Sequence, residues 1–347
     1  MKRDKEKAAI TKFILKLLML FIPFLIMLSF YFKDDPFMVL RHYTRYDHSP
    51  VLLNEGCVEW QMYLNNRDSI TFNSFIMGNS CTMAYPCREW EKHIGSGRAM
   101  RLSGPAESMM AIYHKLQALD KAGAPIKNVL MILDKESLKK YQLKTGYSNI
   151  LPPAVSGISN FKFQETFCQA FFYPKFLIPY IDYKIFHQYR HYMRGIINPY
   201  GAVRDSVTND VINPRETMIK EKGEAYWKDE ASKFENPKDP HYRDGKYKEA
   251  QPVLFDNQIN LLWRIEKLLQ KHHTAIKIII SPDYNQICIN RKDLEMLKRI
   301  FGAGNIFDFS GINKYTADIH NYYEGGHYRP ILGTRILQDI YRNQRQE

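Results

Sequence analysis

No Cys-x-x-Cys pair occurs in the 347 residues, so a structural zinc site is poorly supported. Cysteine is sparse: Cys57, Cys81, Cys87, Cys168 and Cys288. Outside the cytoplasm an odd number leaves at least one unpaired within the chain. Cys81 and Cys87 are close enough to pair, which spacing alone does not decide. No internal repeat is present. A mean hydropathy of −0.42 excludes a polytopic membrane protein. The 45% hydrophobic, 14% aromatic and 25% charged content excludes a disordered chain, a collagen-like chain and a small disulfide-stapled scaffold. The length suffices for one large domain or two small ones.

One long apolar run stands out. Residues 13–32 are nearly all Phe, Leu, Ile and Met, about the 20 residues that hydrocarbon thickness requires. Lys16 near its start can snorkel to the headgroups. Pro23 lies mid-span, where membrane helices tolerate it. Lys2, Arg3, Lys5, Lys7 and Lys12 precede the run. By the positive-inside rule, 1–12 is a cytoplasmic tail and everything after Lys33 is extracytoplasmic, periplasmic or extracellular. A cleaved signal peptide is the competing reading. The bulky Ser29-Phe30-Tyr31-Phe32 offers no small-x-small cleavage site, so the run reads as a single-pass anchor.

Residues 1–33 carry seven Lys/Arg against Asp4 and Glu6, leaving +7 of the +12 total on the exported part. A basic exported face suits anionic lipid or an anionic cell-surface polymer, and equally serves solubility alone. Nucleic acid is not an expected partner on that side of a membrane.

Residues 33–67 read as a polar stalk and lead-in. Beyond them strand-like and helical stretches alternate. Strand-like runs occupy 70–77, 98–102, 127–133, 275–281 and 305–309. Helical patterns occupy 82–94, a stretch opened by Pro105, and then 254–270, 291–301 and 330–341. Alternation of this kind predicts an α/β domain: a mainly parallel sheet of about five strands, flavodoxin-like and three-layered. A large helical and loop insertion, 135–251, interrupts it and is too long to be a bare loop. Its stretch 161–192 is crowded with Phe and Tyr, and predicts helix broken at Pro174 and Pro179. That aromatic surface belongs either at a membrane or membrane-partner interface, or in the insertion's own core. Residues 198–243 read as polar and loop-rich.

The sharpest local feature is Gly78-Asn79-Ser80 at the end of the first strand, followed by a predicted helix. Ligands in parallel sheets bind beyond the carboxyl ends of strands. A helix opening there aims N–H groups at a developing oxyanion. A serine hydroxyl needs a base to attack. Far downstream, Glu324-Gly325-Gly326-His327 lies in a glycine-rich stretch before the last helix. That spacing lets the carboxylate hold one imidazole nitrogen while the other faces the nucleophile.

A serine after the first strand and an acid-x-x-His before the last helix resemble the SGNH (GDSL-like) hydrolase superfamily. The resemblance covers 70–340, apart from the insertion, and makes 68–347 an SGNH-like domain. It is nearest to the membrane-anchored branch containing the teichoic-acid D-alanyl-transfer and alginate O-acetylation proteins. The resemblance implies Ser80 as nucleophile, His327 as base and Glu324 where aspartate is usual, with Asp318 as a fallback acid. It assigns the oxyanion donors to the N–H groups of Ser80 and Gly104. Gly-Asn-Ser replaces the usual Gly-Asp-Ser. The asparagine expected after the third strand is absent, because that strand ends Leu133-Asp134. Asn79 or a group from the insertion is the candidate replacement.

The implied activity is serine O-acyl transfer or ester hydrolysis on a cell-surface polysaccharide or polymer, at the cell membrane. A multi-span membrane O-acyltransferase is the implied partner, and no cofactor or metal is expected. The alternative is a catalytically inactive glycan-binding or scaffolding module. His187 and His191, four apart on a predicted helix, lack the glutamate and third ligand of a zinc helix. His272-His273 marks a helix end. Gly95-Ser96-Gly97 follows no strand and reads as a turn.

Overall fold

Five apolar runs become the strands of one sheet in the computed structural model, which describes residues 2–47, 49–199, 203–236 and 242–342. They are β1 (Ser74–Gly78), β2 (Ala99–Ser103), β3 (Asn128–Leu133), β4 (Ala275–Ile280) and β5 (Ile306–Asp308). The order is β2-β1-β3-β4-β5, with every neighbouring pair parallel. β1, β3 and β4 are buried on both faces, which is why Phe75–Met77, Val129–Leu133 and Ile278–Ile280 read as continuous apolar runs.

The longer helices are α1 (Lys2–Asp34), α2 (Glu55–Asn66), α3 (Met109–Lys121), α4 (Asn160–Phe172), α5 (Pro174–Phe186), α6 (Arg215–Lys222), α7 (Asp256–Lys271), α8 (Arg291–Phe301) and α9 (Pro330–Arg342). Side chains alternate between faces along each strand. Phe75, Met77, Val129, Met131 and Ile278 therefore share one core with α2, α3, α7 and α8. Ile76, Leu130, Ile132 and Ile279 share the other with Trp90 and α9. Two helical layers enclose the sheet. The α/β class and the five-stranded parallel sheet match the sequence reading.

α1 holds the one helix, among the described residues, long and apolar enough to cross a membrane, at Ile10–Asp34. The segment beyond it is no free stalk. Asp35 is buried and accepts the N–H groups of Val39, Leu40 and Arg41 and the Tyr43 hydroxyl. Arg41 donates back to the carbonyls of Phe32 and Lys33, closing the last turn of α1. Asn54 then caps α2 by accepting from Cys57 N–H, and its amide donates to the carbonyls of Tyr147 and Ile150. Val58, Trp60, Met62 and Tyr63 carry α2 into the first core.

Other boundaries also move. Pro105 does not open α3. Ser108 caps that helix, accepting from Ala111 N–H at 3.2 Å, because Ala106 sits at φ 47° and interrupts the run. The predicted helix 82–94 splits at Pro86 into a 3₁₀ turn, Ser80–Ala84, and a short helix, Cys87–Glu91. The aromatic stretch breaks at Pro174 only, and Pro179 lies inside α5. All five cysteines are free.

Candidate active site

The turn that carries Ser80 is built by close approach. Gly78 has φ 139°, and a Cβ there would lie 2.2 Å from the Ile132 carbonyl oxygen. Only glycine lets β1 press on β3 and swing outward at that point. Asn79 follows as cap of the 3₁₀ turn, its Oδ1 accepting from Cys81 N–H at 2.9 Å. Ser80 is the first residue of that turn, so its N–H has no partner within the turn. It stands beyond the carboxyl end of β1, next to the point where the connection from β1 runs to β2 on one side and that from β3 runs to β4 on the other. That switch point is where open parallel sheets bind ligands.

Asn79 also ties the turn to the neighbouring strand. Its amide donates to Asp134 Oδ2 at 2.6 Å and to Ser137 Oγ at 3.1 Å. Asp134 in turn caps the short helix Lys135–Lys139 through Ser137 N–H and Oγ.

The histidine arrives on a two-stranded hairpin, Tyr322–Glu324 with His327–Tyr328, joined by Gly325-Gly326. Glu324 and His327 pair directly across it. Ser80 Oγ and His327 Nε2 are 2.7 Å apart. His327 Nδ1 meets Glu324 Oε1, and the other carboxylate oxygen accepts from Arg215 of α6. Burial, and then the Arg215 charge, lower the His327 pKa below its ordinary value. A lowered pKa favours the neutral imidazole, the form that takes a proton. Nearby, burial raises the Asp283 carboxyl to about 6, against opposing hydrogen bonds from Asn285.

The hairpin is braced from several sides. Tyr328 donates to the Tyr85 hydroxyl at 3.1 Å, and the Cys81 thiol points to the Gly326 carbonyl at 3.6 Å. Sequence reasoning missed the rest, which comes from the segment read as polar loop. Glu216 accepts from Arg329 and from the Tyr323 hydroxyl. Tyr226 OH and Trp227 Nε1 donate to the carbonyls of Tyr323 and Tyr322. The one legible signal was an aromatic pair, Tyr226-Trp227, in an otherwise charged stretch.

Other expectations fare differently. The Gly104 N–H donates to the Gly78 carbonyl at 3.3 Å, and the Glu107 carboxylate stands over its Cα, so this donor is engaged in the sheet. Both ends of the Asn79 amide are likewise occupied. Asp318 pairs with His320 and not with His327. His187 ends α5 and His191 begins a separate 3₁₀ turn, so the two do not share a helix face. A cavity of about 240 Å³ opens beyond β3, β4 and β5, lined in part by Asp134, Glu136, Ser281 and Asp283.

No protein-family model matches this chain, and neither does any curated protein.

Proposed function

We propose that this chain is a membrane-anchored, extracytoplasmic serine O-acyltransferase or esterase of SGNH type. It acts on a cell-surface polysaccharide or anionic polymer through an acyl-serine. The observation that carries the proposal is the 2.7 Å approach of Ser80 Oγ to His327 Nε2, with Glu324 on the far ring nitrogen. Three side chains in that relation form a nucleophile, its base and the group that fixes the base's tautomer. The strand order, that of flavodoxin-like sheets, and the serine beyond β1 support the superfamily likeness.

Ser80 Oγ attacks the carbonyl carbon of an acyl donor while His327 Nε2 takes its proton. The carbonyl π pair moves to oxygen, which the Ser80 N–H stabilises. Collapse expels the donor's leaving group, which receives the proton from the imidazolium. A sugar hydroxyl, or water, then gives its proton to His327 and attacks the acyl-serine. A second collapse releases the ester, or the acid, and returns the proton to Ser80. An anchored domain suits an acyl group delivered through the bilayer by a multi-span membrane acyltransferase. That partner rests on likeness of family alone. The basic residues before α1's apolar run support a cytoplasmic N-terminus.

One observation favours a non-catalytic glycan-binding or scaffolding module instead. The Gly104 N–H and the Asn79 amide are both occupied, leaving the oxyanion hole to the Ser80 N–H. Each missing donor costs about 10²–10³ in rate. Treating the full-length protein with a fluorophosphonate separates the two. The enzyme reading expects a covalent adduct on Ser80, none on Ser80→Ala, and a lower surface-polymer ester content in cells carrying that variant. An unlabelled Ser80 in a protein that still binds polymer overturns it.

A further inference from the structure

The aromatic half of the insertion does not stand apart from the anchor. Phe163, Phe167, Phe171, Phe176 and Tyr180 are buried in one cluster with Tyr31 and Phe37, and Met27, Leu28 and Phe30 of α1 pack against it. Phe172, the last residue of α4, stacks on Phe24 of α1 with ring centroids 4.8 Å apart. Tyr180 approaches Phe30, and Lys184 forms an ion pair with Asp34 at 3.0 Å. The α4–α5 hairpin is therefore docked along the outer third of α1.

That docking fixes a depth. A helix needs about 20 residues to cross the hydrocarbon. Any such stretch within Ile10–Asp34 contains Phe24, at least five residues from its outer end. At 1.5 Å per residue, Phe24 lies about 8–15 Å below that end for a helix along the membrane normal. Phe172, stacked upon it, is then beneath the bilayer surface as well. The outward face of the hairpin fits this position. Tyr173, Ile178, Ile185 and Phe186 are 57–63% exposed, with the Arg190 guanidinium 5.1 Å from the Phe186 ring centroid. Solvated proteins rarely leave large apolar side chains clustered in this way.

We propose that the elbow between α4 and α5, with the outer face of α5, is inserted in the lipid of the leaflet from which α1 emerges. The hairpin is a monotopic foot beside the spanning helix, and its ligand is the bilayer itself. The chain beyond α1 turns at the buried Asp35, whose carboxylate accepts from Val39 N–H. Span and foot together then hold Ser80 at one height and one tilt above the membrane.

The test uses full-length protein in vesicles of phosphatidylcholine and phosphatidylglycerol. Ile178→Trp and Phe186→Trp add a reporter on the exposed face, and the signal of the four native tryptophans is subtracted using wild-type protein. Phospholipids brominated near the top of the acyl chain are expected to quench the added emission about twofold, with little quenching by aqueous iodide. Quenching by iodide and not by brominated lipid, in both variants, overturns the proposal. Iodide access in pure vesicles that is lost in native membranes also overturns it, and assigns the face to a protein partner. No readout depends on Ser80, so failure here is distinct from failure of the acyl-transfer proposal.

Discussion

Asn79 and Asp134 form the bridge on which the nucleophile turn rests, and its strength can be worked out. Asn79→Asp places two carboxylates where an amide now donates at 2.6 Å. With an effective dielectric near 20, two charges at that separation repel by about 6 kcal/mol. The protein has a cheaper escape. Holding one proton on a carboxyl of ordinary pKa near 3.9 costs about 4 kcal/mol at pH 7. The smaller cost prevails, and the shared proton recovers one hydrogen bond of about 1 kcal/mol. The expected destabilisation is about 3 kcal/mol at pH 7. A raised folded-state pKa means this penalty is absent below about pH 4 and grows as pH rises towards neutrality.

The double exchange, Asn79→Asp with Asp134→Asn, should reverse it. The new carboxylate at position 79 would still accept from Cys81 N–H. The new amide at position 134 would still accept from Ser137 N–H while donating across the bridge. Denaturation of the full-length protein in detergent, for wild type, both singles and the double, measures a coupling of about 3 kcal/mol. An Asn79→Asp protein as stable as wild type at pH 7 refutes the reasoning. So does a double variant no better than its worse parent.

Arg215→Gln removes the charge that, after burial, lowers the His327 pKa. The acid limb of Ser80 phosphonylation is expected to move to higher pH, and an unmoved limb would dissociate α6 from the site. Asp283 titrates near 6, so the comparison is best made in an Asp283→Asn background. Gly333→Ala puts a Cβ 1.9 Å from the Ala84 carbonyl oxygen, forcing α9 off the turn that carries Ser80. The expected loss is roughly 3 kcal/mol in denaturation, with slower labelling of Ser80.

Strand runs were legible because a sheet buried on both faces writes itself as unbroken apolar sequence, as in Val129–Leu133 or Ile278–Ile280. Ser80, Glu324 and His327 were legible because the chemistry dictates local spacing. Glycine before the serine permits the turn, and two glycines between Glu324 and His327 let them pair across a hairpin. Donor groups were not legible in the same way. Whether the Gly104 N–H is free depends on what the Gly78 carbonyl accepts, a relation between two strands that neither segment records. Arg215 and Glu216 were invisible for a similar reason. Charged residues on a short helix look like a solvated face until their partners, Glu324 and Arg329, are brought to them. The lead-in was misread because α2 buries a few residues of a mostly polar stretch.

The insertion could be imagined as a removable cover, but its contacts argue otherwise. Its first half packs on α1. Its middle closes the open edge of the sheet: Arg101 N–H donates to the Thr208 carbonyl, and the Asn209 amide donates to the Arg101 carbonyl. Arg204 there pairs with Glu55 at the head of α2. Its second half holds the hairpin through Arg215, Glu216, Tyr226 and Trp227. A hairpin of strands this short, Tyr322–Glu324 with His327–Tyr328, does not hold its shape alone. Its geometry therefore depends on groups delivered by the insertion, which itself packs on the sheet edge and on α1. Stripping the insertion would leave the outer edge of β2 unpaired and take Arg215 from Glu324. Contacts among the described residues thus link the apolar helix α1, the edge of the sheet and the hairpin that carries His327.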